Sequence, residues 1–321
     1  MNSKRIFLKN IIPTELAGVR LDQALAKLFP DYSRSQLQNW IRTGHVRVDG
    51  TKTMLTREKA RANQLIEITA HLEPSERWVA QALPLNIVYE DKALLIINKP
   101  PRLAVHPGAG VPDRTLINAL LHHDPQLATL PRSGIIHRLD KDTSGLLVVA
   151  RNLISYYTLT KAMKARKITR EYEAFVKGVL ISGRTINTSI GRHPIHRTRM
   201  AIIKNGRKAI THFRVLQRYR AHTHIRIRLE TGRTHQIRLH MAHIHHPLVG
   251  DPVYGNHIGI PTFLSDSLKV TLKILHRQAL HAVTLQLSHP LTQKTMEWHT
   301  PLPKDMLDLL KSLAEDNTHT H

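Results

Sequence analysis

The chain has 321 residues with 41% hydrophobic content, which is enough for one large domain with a small one or for two of similar size. It carries 47 lysines and arginines against 24 aspartates and glutamates, a formal net charge of +23, and this excess predicts a polyanionic partner, with nucleic acid favoured. It has no cysteine, which excludes disulfide frameworks, thiolate zinc sites and thiol nucleophiles.

The sequence carries no signal for a membrane or for export. No apolar run reaches the roughly 18 residues that a membrane-spanning helix needs, and residues 1–10 are too polar for a signal peptide. We therefore expect a cytoplasmic protein that does not bind membranes. A basic protein without any polyanionic partner is the alternative explanation of its charge.

The first predicted elements form a small basic module. Leucines at helical spacing predict a helix over residues 21–28, and a second helix follows over residues 33–44, with Ser33 as its N-cap. Strands are predicted near residues 46–48 and 65–68. Two helices followed by a hairpin resemble the S4 RNA-binding domain over residues 18–78, although an ordinary packing domain with a solvated basic face is the alternative. The arginines that we expect to contact RNA here are Arg20, Arg34, Arg42 and Arg47.

A polar segment over residues 72–84 lacks periodicity and is predicted to be a linker. The second domain is predicted over residues 85–313, followed by a disordered tail over residues 314–321.

A polar loop stands out within the second domain, because it lies between two apolar runs, Ile135–Ile136 and Leu146–Ala150, each predicted to be a buried strand. Such a loop, held at both ends, can keep a charged side chain in a fixed place, and Asp140 lies at its centre.

Further elements follow in chain order. The predicted helices cover residues 116–122, 155–167, 237–244 and 307–313, and the predicted strands cover residues 94–98, 170–177, 225–229, 278–287 and 296–299. In the strand over residues 170–177, Tyr172, Ala174 and Val176 share one face. The segment over residues 192–208 is rich in basic residues, which favours either an RNA-binding surface with Arg197 and Arg199 or a plain exposed hairpin.

Several blocks of the second domain match one enzyme family. His137–Gly145 resembles the signature of the RluA-type pseudouridine synthases, and Gly232–His240 with Pro247–Gly255 resembles that family's second block. Asn98–Pro100 and Val105–Gly108 fit as well. The resemblance covers about residues 15–312. It implies an α+β fold, with a mixed, largely antiparallel central sheet flanked by helices and loops, preceded by the S4-like α/β module.

The resemblance implies an isomerase that converts specific uridines of large-subunit (23S) ribosomal RNA to pseudouridine. Such an enzyme breaks the N1–C1′ glycosidic bond, turns the base and rejoins it through C5. Because no atom is gained or lost, we expect no cofactor. Asp140 is implied as the essential carboxylate, which either attacks C1′ or removes the C2′ proton, and the sequence does not choose between these routes.

Other roles follow from the same resemblance. Arg238 is expected to pair with Asp140, Tyr172 to stack on the uracil, and Arg138 to steady the flipped nucleotide or fill its place. Asp142 and Asp251 lie in matched blocks, and we interpret them as structural. For Asp140 taken alone, the ordinary alternative is an aspartate that caps a backbone amide.

Two other functions remain open from the sequence. A non-catalytic RNA-binding ribosome-assembly factor would explain the charge but not the matched blocks. A metal-dependent RNA hydrolase could use the histidines at positions 240, 243, 245 and 246, but their pattern lacks a typical metal-ligand set, and we expect no metal. The expected partner is large-subunit ribosomal RNA or a precursor ribosomal particle, bound by a monomer.

Overall fold

The computed structural model describes residues 4–30, 32, 34–72, 78–108, 110–196, 199–255 and 259–318. The chain divides into two compact units, Met1–Arg77 and Trp78–His321. Of the helices in these described ranges, none combines the length and the apolar character that a membrane crossing requires.

The first unit packs two helices against a four-stranded antiparallel sheet in the order β1-β4-β2-β3. Its elements are β1 (Lys4–Ile11), α1 (Leu21–Leu28), α2 (Arg34–Arg42), β2 (Val46–Val48), β3 (Thr51–Thr53) and β4 (Leu65–Leu72). Of the leucines that predict α1, Leu21 and Leu25 are buried together with Leu37, Trp40 and Ile41 of α2, and the partly buried Leu28 packs against them. The predicted helix–helix–hairpin order is therefore confirmed, whereas Ser33, the predicted cap of α2, lies outside the described residues.

The first unit begins earlier than residue 18. Strand β1 pairs with β4 along its whole length, from Lys4 opposite Leu72 to Ile11 opposite Leu65. The sequence predicts a polar lead-in over residues 1–17 with one strand at most, because the run from Lys4 to Ile11 does not alternate strictly between polar and apolar residues and is a weak strand signal without a partner strand.

The second unit is built on a sheet in the order β10-β9-β11-β12-β8-β13-β7-β6-β5, with β14 paired to β13. Its strands are β5 (Ile87–Glu90), β6 (Leu94–Lys99), β7 (Ser144–Ala150), β8 (Thr169–Lys177), β9 (Arg184–Arg192), β10 (Met200–Ile202), β11 (Arg207–Arg218), β12 (His222–Leu229), β13 (Leu280–Ser288) and β14 (Thr295–His299). Its helices are α3 (Leu116–His123), α4 (Leu153–Lys164), α5 (Gln236–His243), α6 (Asp266–Ile274) and α7 (Lys304–Thr318). Neighbouring strands are antiparallel except β13 and β7, which are parallel. The predicted mixed, largely antiparallel sheet of an α+β fold is confirmed.

Apolar layers cover both faces of this sheet. One face of β6, β7 and β8 packs against α3 and α5, with Leu116, Ile117 and Met241 in the core. The other face of β6 and β7 packs against α4 through Leu159. Because β7 is buried along its entire length, the loop that precedes it is anchored at its C-terminal end.

The structure corrects three boundary predictions. Ile135 and Ile136 do not form a strand, since Ile135 makes only an isolated bridge to Val149. The preceding Gly134 has φ +78°, so the backbone turns here and is not extended. A Cβ at Gly134 would lie 2.0 Å from the carbonyl oxygen of Ala150, so the position has no room for a side chain.

The predicted linker and tail also differ. The second unit starts at Trp78 rather than at Leu85, because Gln81 donates its N–H to the carbonyl of Asn118 at 3.0 Å and Trp78 packs on the core. At the other end, α7 continues to Thr318, so residues 314–318 are helical. Buried Asp316 accepts the Ser265 N–H at 2.6 Å, which ties the last turns of α7 to the start of α6.

Candidate active site

The Asp140 loop, residues 137–143, is fixed to the structure at successive positions. Its own turn is closed by the Thr143 N–H, which donates to the Asp140 carbonyl at 3.1 Å. Arg277 donates to the carbonyl of Asp142 at 3.3 Å, and the Gln278 amide donates to the Thr143 hydroxyl at 3.0 Å. The backbone on which Asp140 sits is therefore held by residues just before β13 and by the buried strand β7.

Lys99 holds the same loop from the other side. Its side chain is fully buried, and Nζ donates to the carbonyls of Pro100, Leu103 and Lys141 at 2.8, 2.9 and 3.0 Å. Burial lowers the pKa of Lys99 to about 7, against the opposing effect of Asp142 and Asp140. The three carbonyls match the three donors of the ammonium form, so Lys99 clamps the residue next to Asp140.

Arg238, on α5, lies between two carboxylates. Its Nε and Nη2 donate to Asp251 at 2.7 and 2.9 Å, and its Nη1 lies 3.3 Å from Oδ2 of Asp140. Burial opposes the charged guanidinium, but the hydrogen bonds and charge of Asp251, assisted by Asp140, raise the pKa of Arg238 further. The expected juxtaposition of Asp140 and Arg238 is present, and the bidentate contact with the Asp251 carboxylate fixes the orientation of the guanidinium.

Asp251 does more than the structural role expected for it. Its carboxylate accepts the N–H groups of Val253 and Tyr254 at 2.9 and 3.0 Å, as a turn-holding aspartate would. It also orients Arg238. Burial opposes its ionisation, but Arg238 and these amides outweigh that effect and lower its pKa.

Tyr172 lies on the central strand β8 and is 4% exposed. Its alternation with Ala174 and Val176 predicted a face turned to the core, and all three are buried in the same cluster. Burial raises the pKa of its phenol, with Asp140 adding to the shift and Arg170 opposing it. The ring is therefore neutral at ordinary pH.

His235 and Tyr254 stand beside these residues and were not expected at the site. His235 precedes α5 with a left-handed φ of 56°, its Nδ1 lies 3.0 Å from the Tyr254 hydroxyl, and its Nε2 lies 3.9 Å from Asp140 Oδ2. Tyr254 also places its ring 5.2 Å from the guanidinium carbon of Arg238. His235 and Tyr254 both lie inside matched sequence blocks, but only the folded chain brings them to Asp140.

Part of this set lines one cavity of about 520 Å³. Asp140, Tyr172, Arg238 and Arg138 all line it, so the four residues predicted to be catalytic or substrate-binding meet although they span about 100 positions of the chain, from 138 to 238. A volume in this range suits a small ligand or a single nucleotide. Arg138 is exposed at its edge, whereas Arg238 is 5% exposed.

Comparison with known proteins identifies the family. The RNA pseudouridylate synthase family model matches residues 93–243, which include Asp140, Tyr172 and Arg238, and the S4 domain model matches residues 19–53. The chain is 49% identical to ribosomal large subunit pseudouridine synthase D of Yersinia pestis over 98% of this chain and 97% of that protein. This chain belongs to the pseudouridine synthase family. It is therefore an isomerase.

Further relatives of this pseudouridine synthase agree. The proteins of the same name from Pseudomonas aeruginosa and Escherichia coli K12 are 51% and 49% identical, over 95% and 98% of this chain and 95% and 96% of theirs. Among solved structures, human RNA pseudouridylate synthase domain containing 1 aligns with a TM-score of 0.54 at 26% identity, covering 73% of this chain and 96% of its own. Human RNA pseudouridylate synthase domain containing 4, at 23% identity and a TM-score of 0.56 over 71% of this chain and 93% of its own, shares the fold.

The arginines of this pseudouridine synthase that were predicted to bind RNA lie in different environments, and two of them pair with a buried carboxylate. Arg20 and Arg34 both pair with Asp22, a fully buried carboxylate, at 3.0 and 2.6 Å. Burial opposes its ionisation, but hydrogen bonds from Gln38, Arg34 and Arg20 lower the pKa of Asp22 to about 2. Arg34 of α2 thus links the two helices through Asp22 of α1, whereas Arg20 pairs with Asp22 at the start of α1, and both arginines remain partly exposed.

The other predicted RNA contacts are surface groups. Arg42 and Arg47 are exposed on the first unit, and Arg199 is exposed in the turn between β9 and β10. Arg197 lies outside the described residues. Of the four clustered histidines, buried His240 is engaged by Thr211 and Thr188, at 2.9 and 3.1 Å, which accounts for it without a metal.

Proposed function

We propose that this enzyme converts specific uridines of large-subunit ribosomal RNA to pseudouridine, with Asp140 as the essential carboxylate. The Asp140–Arg238 pair at the cavity carries the proposal. It is supported by the relatives of nearly equal length, which are named ribosomal large subunit pseudouridine synthases.

The two oxygens of Asp140 have different surroundings. Among the described residues, hydrogen bonds to this carboxylate reach Oδ2 alone, from Arg238. Oδ1 is left for the substrate, and the side chain is 18% exposed, so it is accessible from the cavity. A carboxylate held in place with one available oxygen suits both chemical routes, attack on C1′ and removal of the C2′ proton.

The other residues act on the base. A uridine within RNA must leave its stack before N1–C1′ can be cleaved. We assign Tyr172, buried and neutral at the cavity, to stacking on the flipped uracil, and Arg138, at the exposed edge, to steadying the flipped nucleotide. After cleavage the base turns, C5 bonds to C1′, and the C5 proton leaves to solvent or a nearby group.

RNA recognition is assigned to the first unit and to the β9–β10 turn. The exposed arginines Arg42, Arg47 and Arg199 are proposed to contact phosphates. The solvent-exposed portions of the Arg20 and Arg34 side chains are proposed to do the same. Because each neutralised phosphate releases counterions, RNA affinity should fall steeply as salt rises. Charge-removing variants of Arg42 and Arg47 should flatten that salt dependence, which filter binding over a salt series measures.

The decisive experiment measures tritium release from C5-labelled uridine in a large-subunit ribosomal RNA transcript. The wild type should release tritium, and Asp140→Asn should not, while its RNA affinity and thermal unfolding stay near wild type. No release by the wild type, on either the transcript or the precursor particle, would refute the proposal. An active Asp140→Asn would refute the assignment of Asp140.

A non-catalytic assembly factor predicts the opposite pattern. In that case Asp140→Asn would fully restore ribosome assembly in cells lacking the gene, and their ribosomal RNA would show no missing pseudouridine. We further propose a cytoplasmic monomer, in keeping with a ribosomal substrate and a chain without cysteine. Light scattering of the purified protein, which would reveal a dimer, tests the oligomeric state.

A further inference from the structure

The cavity wall contains a buried arginine that the proposed chemistry has not used. Arg170 lies on β8, two residues before Tyr172, so both side chains are on the same face of the strand. It is 8% exposed and lines the cavity. Within the described residues its Nε has no hydrogen-bond partner, and its guanidinium forms no ion pair with a carboxylate.

His137, the first residue of the Asp140 loop, presents a second unused donor. Its Nε2 accepts the N–H of Val148 at 3.2 Å, so in the neutral ring the proton is on Nδ1. Nδ1 is buried and, among the described atoms, has no partner. Burial, together with the charge of Arg170, lowers the pKa of His137 to about 3, so the ring stays neutral.

Gly232 keeps this part of the wall open. A Cβ at this position would lie 2.9 Å from Nη1 of Arg170, and the three nearest atoms all belong to that guanidinium. The absence of a side chain therefore accommodates the tip of Arg170. Arg170 and His137 both line the cavity, and buried donors normally have acceptors, so these two unmatched donors indicate a ligand that supplies oxygen atoms.

The ligand chemistry follows from the bond that breaks. On both routes the electron pair of N1–C1′ leaves with the base, which becomes a uracil anion with its charge spread over N1 and the two carbonyl oxygens. A guanidinium and a neutral N–H donor can stabilise that charge without giving up a proton. The exposed RNA backbone is a poorer match, because Arg170 and the Nδ1 of His137 are buried while Arg138 lies at the exposed edge.

We propose that Arg170 and His137 form a subsite for the carbonyl oxygens of the flipped uracil and stabilise the detached base as an anion. This inference rests on the proposed function. It assigns these residues to the leaving base, whereas Asp140 and Arg238 act at the sugar.

The test compares single-turnover rates at saturating enzyme for RNA containing uridine or 5-fluorouridine at the target. Fluorine stabilises the detached base, so a residue that stabilises the same charge matters less for that substrate. Arg170→Met should slow uridine conversion by about 100-fold, the effect of removing one preorganised donor from a developing anion. The loss should be clearly smaller with 5-fluorouridine, and RNA affinity should stay near wild type. Mass spectrometry of digested nucleosides measures both substrates.

Two further variants keep the test informative if Arg170→Met folds poorly. Arg170→Lys retains the charge and should recover part of the rate. Gly232→Ala should displace the guanidinium tip and give the same substrate-dependent defect in milder form. Glu171→Gln is the matched control, since this neighbour on β8 points to the other face and lies 3.9 Å from Arg226. It should react at the wild-type rate.

The outcomes separate this inference from the function on which it rests. An inactive wild type would refute the proposed function and this subsite with it. An active wild type with equal losses on both substrates would show a structural role for Arg170. Weaker RNA binding with an unchanged rate at saturation would show a phosphate contact. Either of these two results would overturn the subsite alone.

Discussion

Asp140 and Asp251 contact the same guanidinium, yet we expect their neutral variants to fail in different ways. The side chain of Asp251 is completely buried and binds Arg238 through two hydrogen bonds of 2.7 and 2.9 Å. The side chain of Asp140 is 18% exposed and makes one contact of 3.3 Å. Asp251→Asn should therefore reduce stability, whereas Asp140→Asn should remove activity and leave stability almost intact.

The magnitudes follow from these environments. Removing one partner of a buried ion pair costs roughly 3–5 kcal/mol, because the other charge stays buried. The asparagine oxygen can still accept the N–H groups of Val253 and Tyr254, so the loss at Asp251 is mainly one of charge. At Asp140 the pair is partly solvated and Arg238 keeps Asp251, so we expect a change of at most about 1 kcal/mol.

Urea unfolding followed by circular dichroism measures both variants. For a protein stabilised by roughly 5–15 kcal/mol, Asp251→Asn should lower the unfolding midpoint markedly, and its folded fraction should retain measurable turnover. Asp140→Asn should unfold near the wild-type midpoint without any turnover. Equal midpoint shifts for the two variants would refute this division between the carboxylate that holds Arg238 and the one that reacts.

Three other predictions concern the framework of the site. Three histidines are almost fully buried and have pKa values of about 4, lowered mainly by burial: His222, His240 and His281. The unfolded chain binds more protons than the folded one between pH 6.5 and 4, so stability is lost as pH falls. At pH 5 the loss is about 2 kcal/mol for each ring, at about 1.4 kcal/mol per pKa unit. A melting temperature that stays constant from pH 7 to 5 would contradict this. Lys99→Met should lower kcat more than RNA affinity, because the Lys141 carbonyl loses its donor, and an unchanged kcat would exclude the clamp. Gly145→Ala should prevent stable folding, since its Cβ would lie 2.3 Å from the Ala282 carbonyl oxygen, whereas Gly259→Ala, with open space around it, should melt like the wild type.

The sequence predicts the local elements of this chain better than its long-range contacts. Alternation identified the buried face of β8 with Tyr172, and leucine spacing identified α1, because both patterns repeat within a few residues. The proximity of Asp140 and Arg238, 98 positions apart, came only from resemblance to a known family. No local pattern records which distant segments meet.

The burial of charged residues is the feature that is hardest to predict from the sequence, because it depends on the whole fold. Lys99 and Asp22 are fully buried, although lysine and aspartate are usually exposed. Arg20 and Arg34 were expected to contact RNA at the surface, but both also form ion pairs with the buried Asp22. No sequence pattern assigns a role to Arg170, which stands out only in the folded chain, where it lines the cavity and its Nε has no partner among the described residues.

Strand β13 lies between β8 and β7 in the sheet, although it is synthesised more than 100 residues after either. The ribosome therefore releases the Asp140 loop long before two of the residues that hold it, Arg277 and Gln278, exist. Until then β7 and β8 each have an open edge, and closing a contact over such a separation is slow. During translation, catalytic competence thus waits for the residues from 277 onward, and a nascent chain that stops before residue 277 should be unable to modify RNA.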